Sequence, residues 1–256
     1  MNESVRTAVV LAGGAALRLR PLTDNLPKAM IKVADKPLLE WILEWLKRNG
    51  LNQIVIGVAY RKEAITEYFC DGTDFGVNIK YSEHTVEGGT GEGFRLAIKR
   101  HVHDDCFLAM NGDELTDIEI SRFTKFHQTG GKIATIALAP LRSPFGIVEI
   151  NDQNAVLSFR EKPVLREHLV STGVYIFQRA IMDYLPTKGS VERETFPKLA
   201  AQGELKGYIH DGFWGTVNTI KDLQDLELKL SALVHSEASS ARGKSHKINY
   251  STRSGE

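Results

Sequence analysis

The segment from Ala8 to Lys28 is the feature that most constrains how this chain can fold. It begins with an apolar, β-branched run and breaks at two adjacent glycines, which predicts a buried strand followed by a tight loop. Glycines let backbone N–H groups approach a polyphosphate closely, and such a set of N–H dipoles attracts anions. Three cationic side chains follow the glycines within fifteen residues, namely Arg18, Arg20 and Lys28. The pattern favours a phosphate-binding loop, although an ordinary turn with solvated basic residues is also compatible with it.

The chain after this loop alternates between helical and strand spacing. Apolar residues at 38, 39, 42, 45 and 46 predict a helix, with Pro37 suited to its first turn and Gly50 to its end. A strand over 53–59, a short helix over 62–69 and a strand over 77–81 complete a βαβαβ unit. Topology rules then predict a mostly parallel sheet, in which ligands bind at the carboxyl ends of the strands. The glycine loop lies at such an end.

The second half of the chain adds strands and one predicted hairpin. Strands over 105–110, 132–139 and 172–177 and a helix over 191–201 continue the α/β pattern. Two short apolar runs flank Asn151-Asp152, over 145–150 and 155–159, and predict an antiparallel hairpin. The predicted fold class is therefore α/β, with a Rossmann-like mixed sheet that is mostly parallel, flanked by helices and extended by a small antiparallel subregion.

Charge and cysteine content bear on the partners and the compartment. The chain of 256 residues has 32 lysines and arginines against 32 acidic residues, so no overall field favours nucleic acid or an anionic membrane. No apolar run is long enough to span a bilayer, and the first residues do not form a secretory signal. Cys70 and Cys106 are too few for a disulfide framework. We therefore expect a cytoplasmic protein with a small anionic ligand.

The last residues differ in composition from the rest. With 42% hydrophobic residues the chain can bury a sizeable core, and we expect one domain over residues 1–230. Residues 231–256 contain seven serines and few large apolar side chains. Such a segment cannot bury enough surface to order itself, so the sequence predicts a flexible tail.

The opening loop resembles the signature of the sugar-1-phosphate nucleotidylyltransferases, the family that makes nucleoside-diphosphate sugars. The usual pattern is LAGG-x-G-T-R-L-x-P-L-T followed shortly by P-K-P. Ala16, Leu17 and Ala29 replace the third Gly, the Thr and the second Pro of that pattern. The matching residues are Leu11, Ala12, Gly13, Gly14, Arg18, Leu19, Pro21, Leu22, Thr23, Pro27 and Lys28. The loop is neither a Walker loop nor a dinucleotide fingerprint, because the Gly-Lys-Ser/Thr and G-x-G-x-x-G orders are absent.

Further motifs extend the resemblance over about residues 7 to 230. They are a second glycine-rich turn within 83–97, the Glu161-Lys162-Pro163 triplet and the Thr172-Gly173 strand. The resemblance implies that the antiparallel subregion binds the sugar, as in nucleotide-diphospho-sugar transferases. It implies nucleotide contacts from Leu11, Ala12, Gly13, Gly14, Glu87, Gly89 and Thr90. It implies sugar-phosphate contacts from Asn111, Gly146, Glu161, Lys162 and Gly173.

A carboxylate at the end of a predicted strand suggests a metal site. Asp113 follows Gly112 there, where it could hold Mg²⁺ together with phosphate oxygens. An Asp after Gly is also an ordinary turn residue. The resemblance favours Asp113 as the metal ligand over Glu114 and Asp117. It also shows a departure, because Thr216 or Asn218 stands where the family has a second metal-binding Asp, and we expect Asn218 to offer its carbonyl oxygen instead.

The reaction that the resemblance implies is transfer of a nucleoside monophosphate from an NTP to a sugar 1-phosphate, with release of pyrophosphate. Arg18 would contact the leaving phosphates, Lys28 the α-phosphate and Lys162 the sugar phosphate, while Asp113 holds Mg²⁺. The alternative is a homologue that binds nucleotide sugars but has weakened catalysis, because the second Asp is missing. The sequence does not choose among CTP, GTP, UTP and dTTP, or among sugars, and a homodimer is one of the assembly states it leaves open.

Overall fold

Seven strands form the central sheet of this protein, whose computed structural model describes residues 5–230. The strands of the described chain are β1 Thr7–Leu11, β2 Lys32–Val33, β3 Lys36–Pro37, β4 Gln53–Val58, β5 Asn78–Glu83, β6 Cys106–Asn111, β7 Glu114–Thr116, β8 Ala134–Arg142, β9 Ile147–Ile150, β10 Val156–Arg160, β11 Val164–Gln178, β12 Leu205–Ile209 and β13 Trp214–Thr216. The α-helices are α1 Leu38–Arg48, α2 Lys62–Phe69, α3 Gly89–His101, α4 Ile120–Gln128 and α5 Phe196–Ala201, and a further helix covers residues 220–230.

The order of strands in the sheet is β12-β8-β11-β6-β1-β4-β5. Strands β6, β1, β4 and β5 are parallel neighbours, and β12 is parallel to β8. Strand β11 runs antiparallel to both β8 and β6. The mostly parallel, mixed sheet predicted from the sequence is therefore confirmed. The chain places β4 and β5 on one side of β1 and then returns to place β6 on the other, which makes the β1/β6 boundary a topological switch point.

Helices cover both faces of the sheet because the central strands are apolar on both sides. In β1, Ala8 and Val10 belong to one core cluster, whereas Val9 belongs to the other. Residues of α1 pack in the first cluster, and residues of α3 such as Phe94 and Ile98 pack in the second. The alternation follows from the two-residue period of a strand, which sends successive side chains to opposite faces. The result is a three-layer arrangement of helices, sheet and helices.

Helix α1 forms where its apolar spacing predicts. Six of its eleven residues are buried, and they recur at positions that fall on one helix face. The helix ends at Arg48, and Asn49 caps it. Gly50 follows with a φ of 81°, a conformation that glycine adopts freely because it has no Cβ. The Leu51 N–H donates to the carbonyl of Leu46 over 3.0 Å, as in a common helix C-terminal motif.

The second half of the fold agrees with the predicted elements but differs in extent. The hairpin is present as β9 and β10, which pair antiparallel. Strand β11 begins at Val164 rather than at Thr172, because it continues along β8 as far as Arg142. The predicted helix over 191–201 is a π-helical turn, Val191–Thr195, followed by α5. The predicted tail over 231–256 lies outside the described residues.

No helix within residues 5–230 is both long enough and apolar enough to cross a membrane.

Candidate active site

The glycine loop leaves the sheet at the β1/β6 switch point. Strand β1 ends at Leu11, beside Asn111 at the end of β6. The Gly112 N–H donates to the carbonyl of Leu11 over 2.7 Å, and a Cβ on Gly112 would lie 2.7 Å from the same oxygen. Only glycine therefore allows the two strand ends to stay this close. The contact brings the loop after β1 and the residues after β6 to one edge, where parallel sheets bind ligands.

A cavity of about 290 Å³ lies at this edge. Its walls come from three parts of the chain: the glycine loop with the turn at residue 28, the segment after β5, and the end of β6. The lining residues are Leu11, Ala12, Gly13, Gly14, Lys28, Ala29, His84, Val86, Gly89, Thr90, Asn111, Gly112 and Asp113. Six of the predicted nucleotide-binding residues are therefore wall residues, namely Leu11, Ala12, Gly13, Gly14, Gly89 and Thr90. Asn111, Lys28 and Asp113 face the same space.

The first wall is shaped by close packing beneath the glycine loop. A Cβ on Gly13 would lie 2.7 Å from Nε2 of His84 and 2.9 Å from Cβ of Ala59, so this position excludes a side chain. Gly14, in contrast, has open space where a Cβ would be. Ala16 adopts φ 45° and ψ 54°, the left-handed region that favours glycine. The family pattern has glycine at that position, and the backbone conformation explains why.

The second wall is held by contacts between the start of α3 and residues 189–192. Gly89 adopts a φ of 67°, and a Cβ there would lie 2.5 Å from the carbonyl oxygen of Gly189. The Thr90 hydroxyl donates to Glu192 over 2.8 Å and accepts from the Val191 N–H over 3.0 Å. Thr90 therefore fixes the wall, and its hydroxyl is already engaged.

Lys28 contacts both predicted metal ligands, Asp113 and Asn218. Its ammonium forms an ion pair with Asp113 and donates a hydrogen bond of 3.0 Å to Oδ1 of Asn218. The side chain of Lys28 is only 13% exposed and that of Asp113 is 24% exposed, so the pair is shielded from water. Asp113 and Asn218 are far apart in sequence, yet each places an oxygen on the same nitrogen atom. Of the two residues proposed to replace the second metal-binding Asp, Asn218 is the one whose carbonyl oxygen bonds to Lys28.

Asn218 is positioned by a small ribbon and a helix cap. Strand β13 pairs antiparallel with β7, directly after Asp113, and Asn218 follows β13. The Asp222 carboxylate accepts the N–H groups of Asn218 and Thr219 over 3.0 and 2.8 Å, and Thr219 accepts from the Asp222 N–H. This reciprocal pattern is a capping box at the start of the 220–230 helix. The cap fixes the backbone at Asn218.

Glu114 is a buried carboxyl group beside this cluster. Burial, reinforced by the neighbouring Asp113 carboxylate, raises the pKa of Glu114 well above its usual range. The Trp214 indole N–H donates to Glu114 over 2.9 Å. A Cβ on Gly173 would lie 2.8 Å from Cγ of Glu114, and Gly173 has a φ of 74°. Packing and backbone conformation therefore already require glycine at Gly173, independently of any sugar.

Seven predicted site residues are not wall residues of the cavity; two of them, Gly173 and Asn218, contact Glu114 and Lys28 as described above. Glu87 is exposed on the turn before α3, and Arg18 is exposed on the short helical turn that follows the glycine loop. Lys162 lies after the hairpin with its side chain 49% exposed, 3.5 Å from Glu161. A Cβ on Gly146 would lie 3.1 Å from Oε2 of Glu161, which places Gly146 beside that pair. The hairpin thus collects Gly146, Glu161 and Lys162 in one region, apart from the cavity walls.

His84 is a wall residue that the sequence patterns did not single out. Its imidazole occupies the space beside three glycines, Gly13, Gly57 and Gly93, where added Cβ atoms would lie 2.7 to 3.5 Å from it. Burial lowers the pKa of His84, so the neutral imidazole is favoured. In the sequence, His84 stands between strand β5 and the second glycine-rich turn. That position alone does not distinguish a residue that lines a cavity from one on the surface.

Comparison with known proteins places this geometry in a family. The family model described as nucleotidyl transferase matches residues 7–232, most of the chain. The chain belongs to this family. A UTP–glucose-1-phosphate uridylyltransferase from Synechocystis sp. is 36% identical over 215 residues, which cover 77% of this chain and 55% of that protein. A mannose-1-phosphate guanylyltransferase from Mycobacterium tuberculosis is 32% identical, covering 84% of this chain and 62% of that protein. The resemblance to sugar-1-phosphate nucleotidylyltransferases is thereby confirmed.

Solved structures of other proteins have a similar fold. A putative glucose-1-phosphate thymidylyltransferase from Bacillus anthracis superposes with a TM-score of 0.70 at 20% identity, covering 97% of this chain and 98% of that one. HddC from Yersinia pseudotuberculosis gives a TM-score of 0.70 at 22% identity, covering 88% of this chain and all of that one. The chain spans 55 to 62% of the length of the two curated relatives named above.

Proposed function

We propose that this chain transfers a nucleoside monophosphate from an NTP to a sugar 1-phosphate, giving a nucleoside-diphosphate sugar and pyrophosphate. The observation that carries the proposal is the convergence of Lys28, Asp113 and Asn218 at a cavity lined by the glycine loop. The names of the curated relatives, which act on glucose 1-phosphate or mannose 1-phosphate, support the substrate class.

The chain's own residues supply alignment and charge neutralisation. An oxygen of the sugar phosphate attacks the α-phosphorus, a new P–O bond forms, and the bond to the β-phosphate oxygen breaks to release pyrophosphate. The attacking phosphate is already ionised, so no side chain needs to remove a proton. Lys28 lies on the cavity wall, where it would hold the α-phosphate. Backbone N–H groups at Gly13 and Gly14 would bind further phosphate oxygens.

Arg18 and Lys162 would bind the outer phosphates. Both side chains are exposed, that of Arg18 on the turn after the glycine loop and that of Lys162 after the hairpin. We assign Arg18 to the leaving β- and γ-phosphates and Lys162 to the sugar phosphate, with Glu161 accepting sugar hydroxyls. Glu87 is assigned to the nucleotide, and Asn111, Gly146 and Gly173 to the sugar phosphate.

The donor atoms at this site fit Mg²⁺. The Asp113 carboxylate and the Asn218 carbonyl are hard oxygen donors that already converge on one cation, the Lys28 ammonium. Within residues 5–230, no three His, Cys, Asp or Glu side chains are grouped so that they could hold a metal by themselves. Asp113 and Asn218 would therefore hold Mg²⁺ together with oxygens from water or phosphate. When bound, the ion supplies further charge neutralisation at the phosphates.

The other candidate is a nucleotide-sugar-binding homologue with weakened catalysis. The specific observation for it is Asn218, which lacks the charge of the Asp that the family carries there. Loss of one carboxylate weakens a Mg²⁺ site without removing it, because Mg²⁺ commonly keeps several waters as ligands. The family relationship and the intact Lys28–Asp113 pair favour the enzyme.

A pyrophosphate-release assay distinguishes the two functions. The purified chain would be incubated with Mg²⁺, each of CTP, GTP, UTP and dTTP, and either glucose 1-phosphate or mannose 1-phosphate. We expect release with at least one combination, dependent on both substrates. Release with none of them, together with a thermal shift on adding a nucleotide sugar, would support the binding homologue instead. We also propose a cytoplasmic location, because two cysteines are too few for the disulfide framework of a small secreted protein.

A further inference from the structure

One wall of the cavity beside the glycine loop is formed by residues that carry no charge. The segment after β5 supplies this wall, with His84, Val86, Gly89 and Thr90. The charged residues of the lining, Lys28 and Asp113, come from the turn at residue 28 and from the end of β6. An NTP is charged at its phosphates and uncharged at its nucleoside. Because moving phosphate charges from water to an uncharged surface is costly, the phosphates belong beside Lys28 and the nucleoside belongs beside the uncharged wall.

His84 is the polar side chain on this wall that still has hydrogen-bonding capacity. The hydroxyl of the other one, Thr90, is already engaged both as donor and as acceptor. Neither ring nitrogen of His84 forms a hydrogen bond of normal geometry within residues 5–230, and Nδ1 is buried. Burial lowers the pKa of His84 more than the nearby Ser82 carbonyl and Glu92 carboxylate raise it. The ring is therefore a neutral hydrogen-bonding group beside an open cavity.

Close packing fixes where each ring nitrogen of His84 lies. Its backbone N–H donates to the carbonyl of Val58 over 3.1 Å, which continues the pairing of β4 with β5. A Cβ on Gly57, within β4, would lie 3.6 Å from Nδ1, whereas a Cβ on Gly13, in the cavity wall, would lie 2.7 Å from Nε2. Nδ1 therefore lies over the sheet, and Nε2 lies beside the glycine loop. A ring held this tightly offers Nε2 to a ligand with little further loss of side-chain freedom.

The surroundings of Nε2 suit a nucleobase better than a sugar ring. Leu11, Ala12 and Val86 are apolar residues of the cavity walls, and Val86 is 48% exposed. A nucleobase has apolar faces and a polar edge, so it can lie against apolar side chains while its edge meets one polar group. A sugar ring carries hydroxyls around its rim and needs several polar partners when it leaves water. A single polar nitrogen among apolar side chains matches the base.

We propose that His84 determines which nucleotide this chain prefers, through a hydrogen bond between its Nε2 and the polar edge of the base. The inference rests on the proposed function, because it takes the ligand to be an NTP. A neutral imidazole offers at Nε2 either an N–H or a lone pair, so it distinguishes a base that has the matching group from one that lacks it. A mismatched base leaves a shielded polar atom without a partner, and the site rejects that base for this reason.

A comparison of NTPs with inorganic tripolyphosphate separates a contact with the base from support of the glycine loop. Both kinds of ligand bring three phosphates to the loop, but only an NTP brings a base. Dissociation constants would be measured by titration calorimetry with Mg²⁺ for CTP, GTP, UTP, dTTP and tripolyphosphate, without any sugar phosphate. The variant is His84→Leu, which has a similar volume and no polar side-chain atom. The control is His103→Leu, at an exposed histidine after α3.

We expect His84→Leu to bind the preferred NTP at least about tenfold more weakly, the contribution of one hydrogen bond in a shielded site, and to bind tripolyphosphate within about twofold of the unmodified chain. The preference among the four nucleotides should shrink, and His103→Leu should match the unmodified chain. Circular dichroism would confirm folding. Should His84→Leu fail to fold, His84→Ala, which cannot collide with the neighbouring glycines, takes its place with the same expectations.

Equal weakening of NTP and tripolyphosphate binding overturns the proposal, because His84 would then only support the glycine loop. An unchanged NTP affinity in the folded variant also overturns it, as does an unmodified chain that binds no NTP more tightly than tripolyphosphate. Binding is measured without turnover, so the outcome is separate from that of the proposed function. A chain that selects its NTP through His84 but releases no pyrophosphate would keep this inference and contradict the enzymatic function.

Discussion

Lys28 donates a hydrogen bond of 3.0 Å to the amide oxygen of Asn218, 190 residues away, while the same ammonium pairs with Asp113. The candidate phosphate and metal sites are therefore joined by one largely buried cation, the Lys28 ammonium. The contact depends on the strand end after β6, the β7–β13 ribbon and the capping box that begins at Thr219.

Asn218→Asp should strengthen Mg²⁺ binding. The change restores a negative charge beside Asp113 with almost no change in shape, and Mg²⁺ prefers carboxylate oxygens. We expect the Mg²⁺ concentration for half-maximal pyrophosphate release to fall about tenfold, equivalent to about 1.4 kcal/mol. Asn218→Ala, which removes the oxygen, should raise that concentration. If the Asp and Ala variants both leave it unchanged, Asn218 is not a metal ligand.

Ala16→Gly should relieve backbone strain. A non-glycine residue in the left-handed region is disfavoured by about 1 kcal/mol, whereas glycine adopts it freely. The added flexibility of the unfolded chain offsets part of this gain. We expect the free energy of unfolding, measured with urea, to stay equal or rise by up to about 1 kcal/mol. The matched control Ala15→Gly, at a residue without positive φ, should lose about 0.5 kcal/mol. Equal losses in both variants would show that Ala16 is not strained.

The regular elements of this fold could be predicted because their patterns are local. The apolar run before Gly13 predicts a buried strand, and the apolar spacing of α1 predicts a helix with one buried face. Each pattern is complete within a dozen residues. The full length of β11 could not be predicted from the sequence, because its first half is stabilised by pairing with β8 rather than by its own residue pattern. Its antiparallel place between β8 and β6 likewise depends on contacts distant in sequence.

The candidate site was predictable where a glycine or a charge follows a strand. The lining of the cavity by Gly13, Gly14 and Asp113 follows from the ends of β1 and β6. His84 was missed because its location is set by three glycines from separate segments. The bond between Lys28 and Asn218 was also not deducible, because it requires the register of a three-residue ribbon.

Acidification should destabilise the protein through His127. Burial lowers the pKa of His127 to about 4, while its Nδ1 lies 2.7 Å from the Thr135 hydroxyl. The folded state therefore holds the neutral imidazole, and its full stability is present above the unfolded pKa, about 6.5, and is lost as the pH falls towards 4. Between pH 7 and pH 5 this single group should cost about 2 kcal/mol of unfolding free energy.

The check is to measure urea unfolding at pH 7 and pH 5 for the unmodified chain and for His127→Gln. Between pH 7 and pH 5, we expect the unfolding free energy of His127→Gln to fall by about 2 kcal/mol less than that of the unmodified chain. His103→Gln, at an exposed histidine, is the control substitution. An identical pH dependence in all three proteins would argue against a buried neutral His127.

Glu114→Gln should be tolerated and should stabilise the fold at high pH. Because burial and Asp113 raise the pKa of Glu114, the folded state favours its protonated form, and ionisation above the unfolded pKa opposes folding. Glutamine keeps an oxygen that can accept the Trp214 indole N–H, and it cannot ionise. We expect the thermal midpoint of the variant to exceed that of the unmodified chain at pH 8, with a smaller difference at pH 5. Glu114→Ala removes one of the two acceptors of the Trp214 indole N–H, the other being the Thr172 carbonyl, and empties a buried volume, so it should be less stable at both pH values.

The most direct test of the central claim is the turnover of Lys28→Ala, with Lys32→Ala as the control. Lys32 is an exposed lysine on the neighbouring β2, whereas Lys28 faces the cavity. With the nucleotide and sugar phosphate that the unmodified chain accepts, we predict that Lys28→Ala loses roughly a hundredfold or more of its pyrophosphate release, since one such charged contact contributes on the order of 3 kcal/mol to transition-state stabilisation. Lys32→Ala should retain full turnover, and circular dichroism should show both variants folded. Full turnover in a folded Lys28→Ala variant would contradict the account.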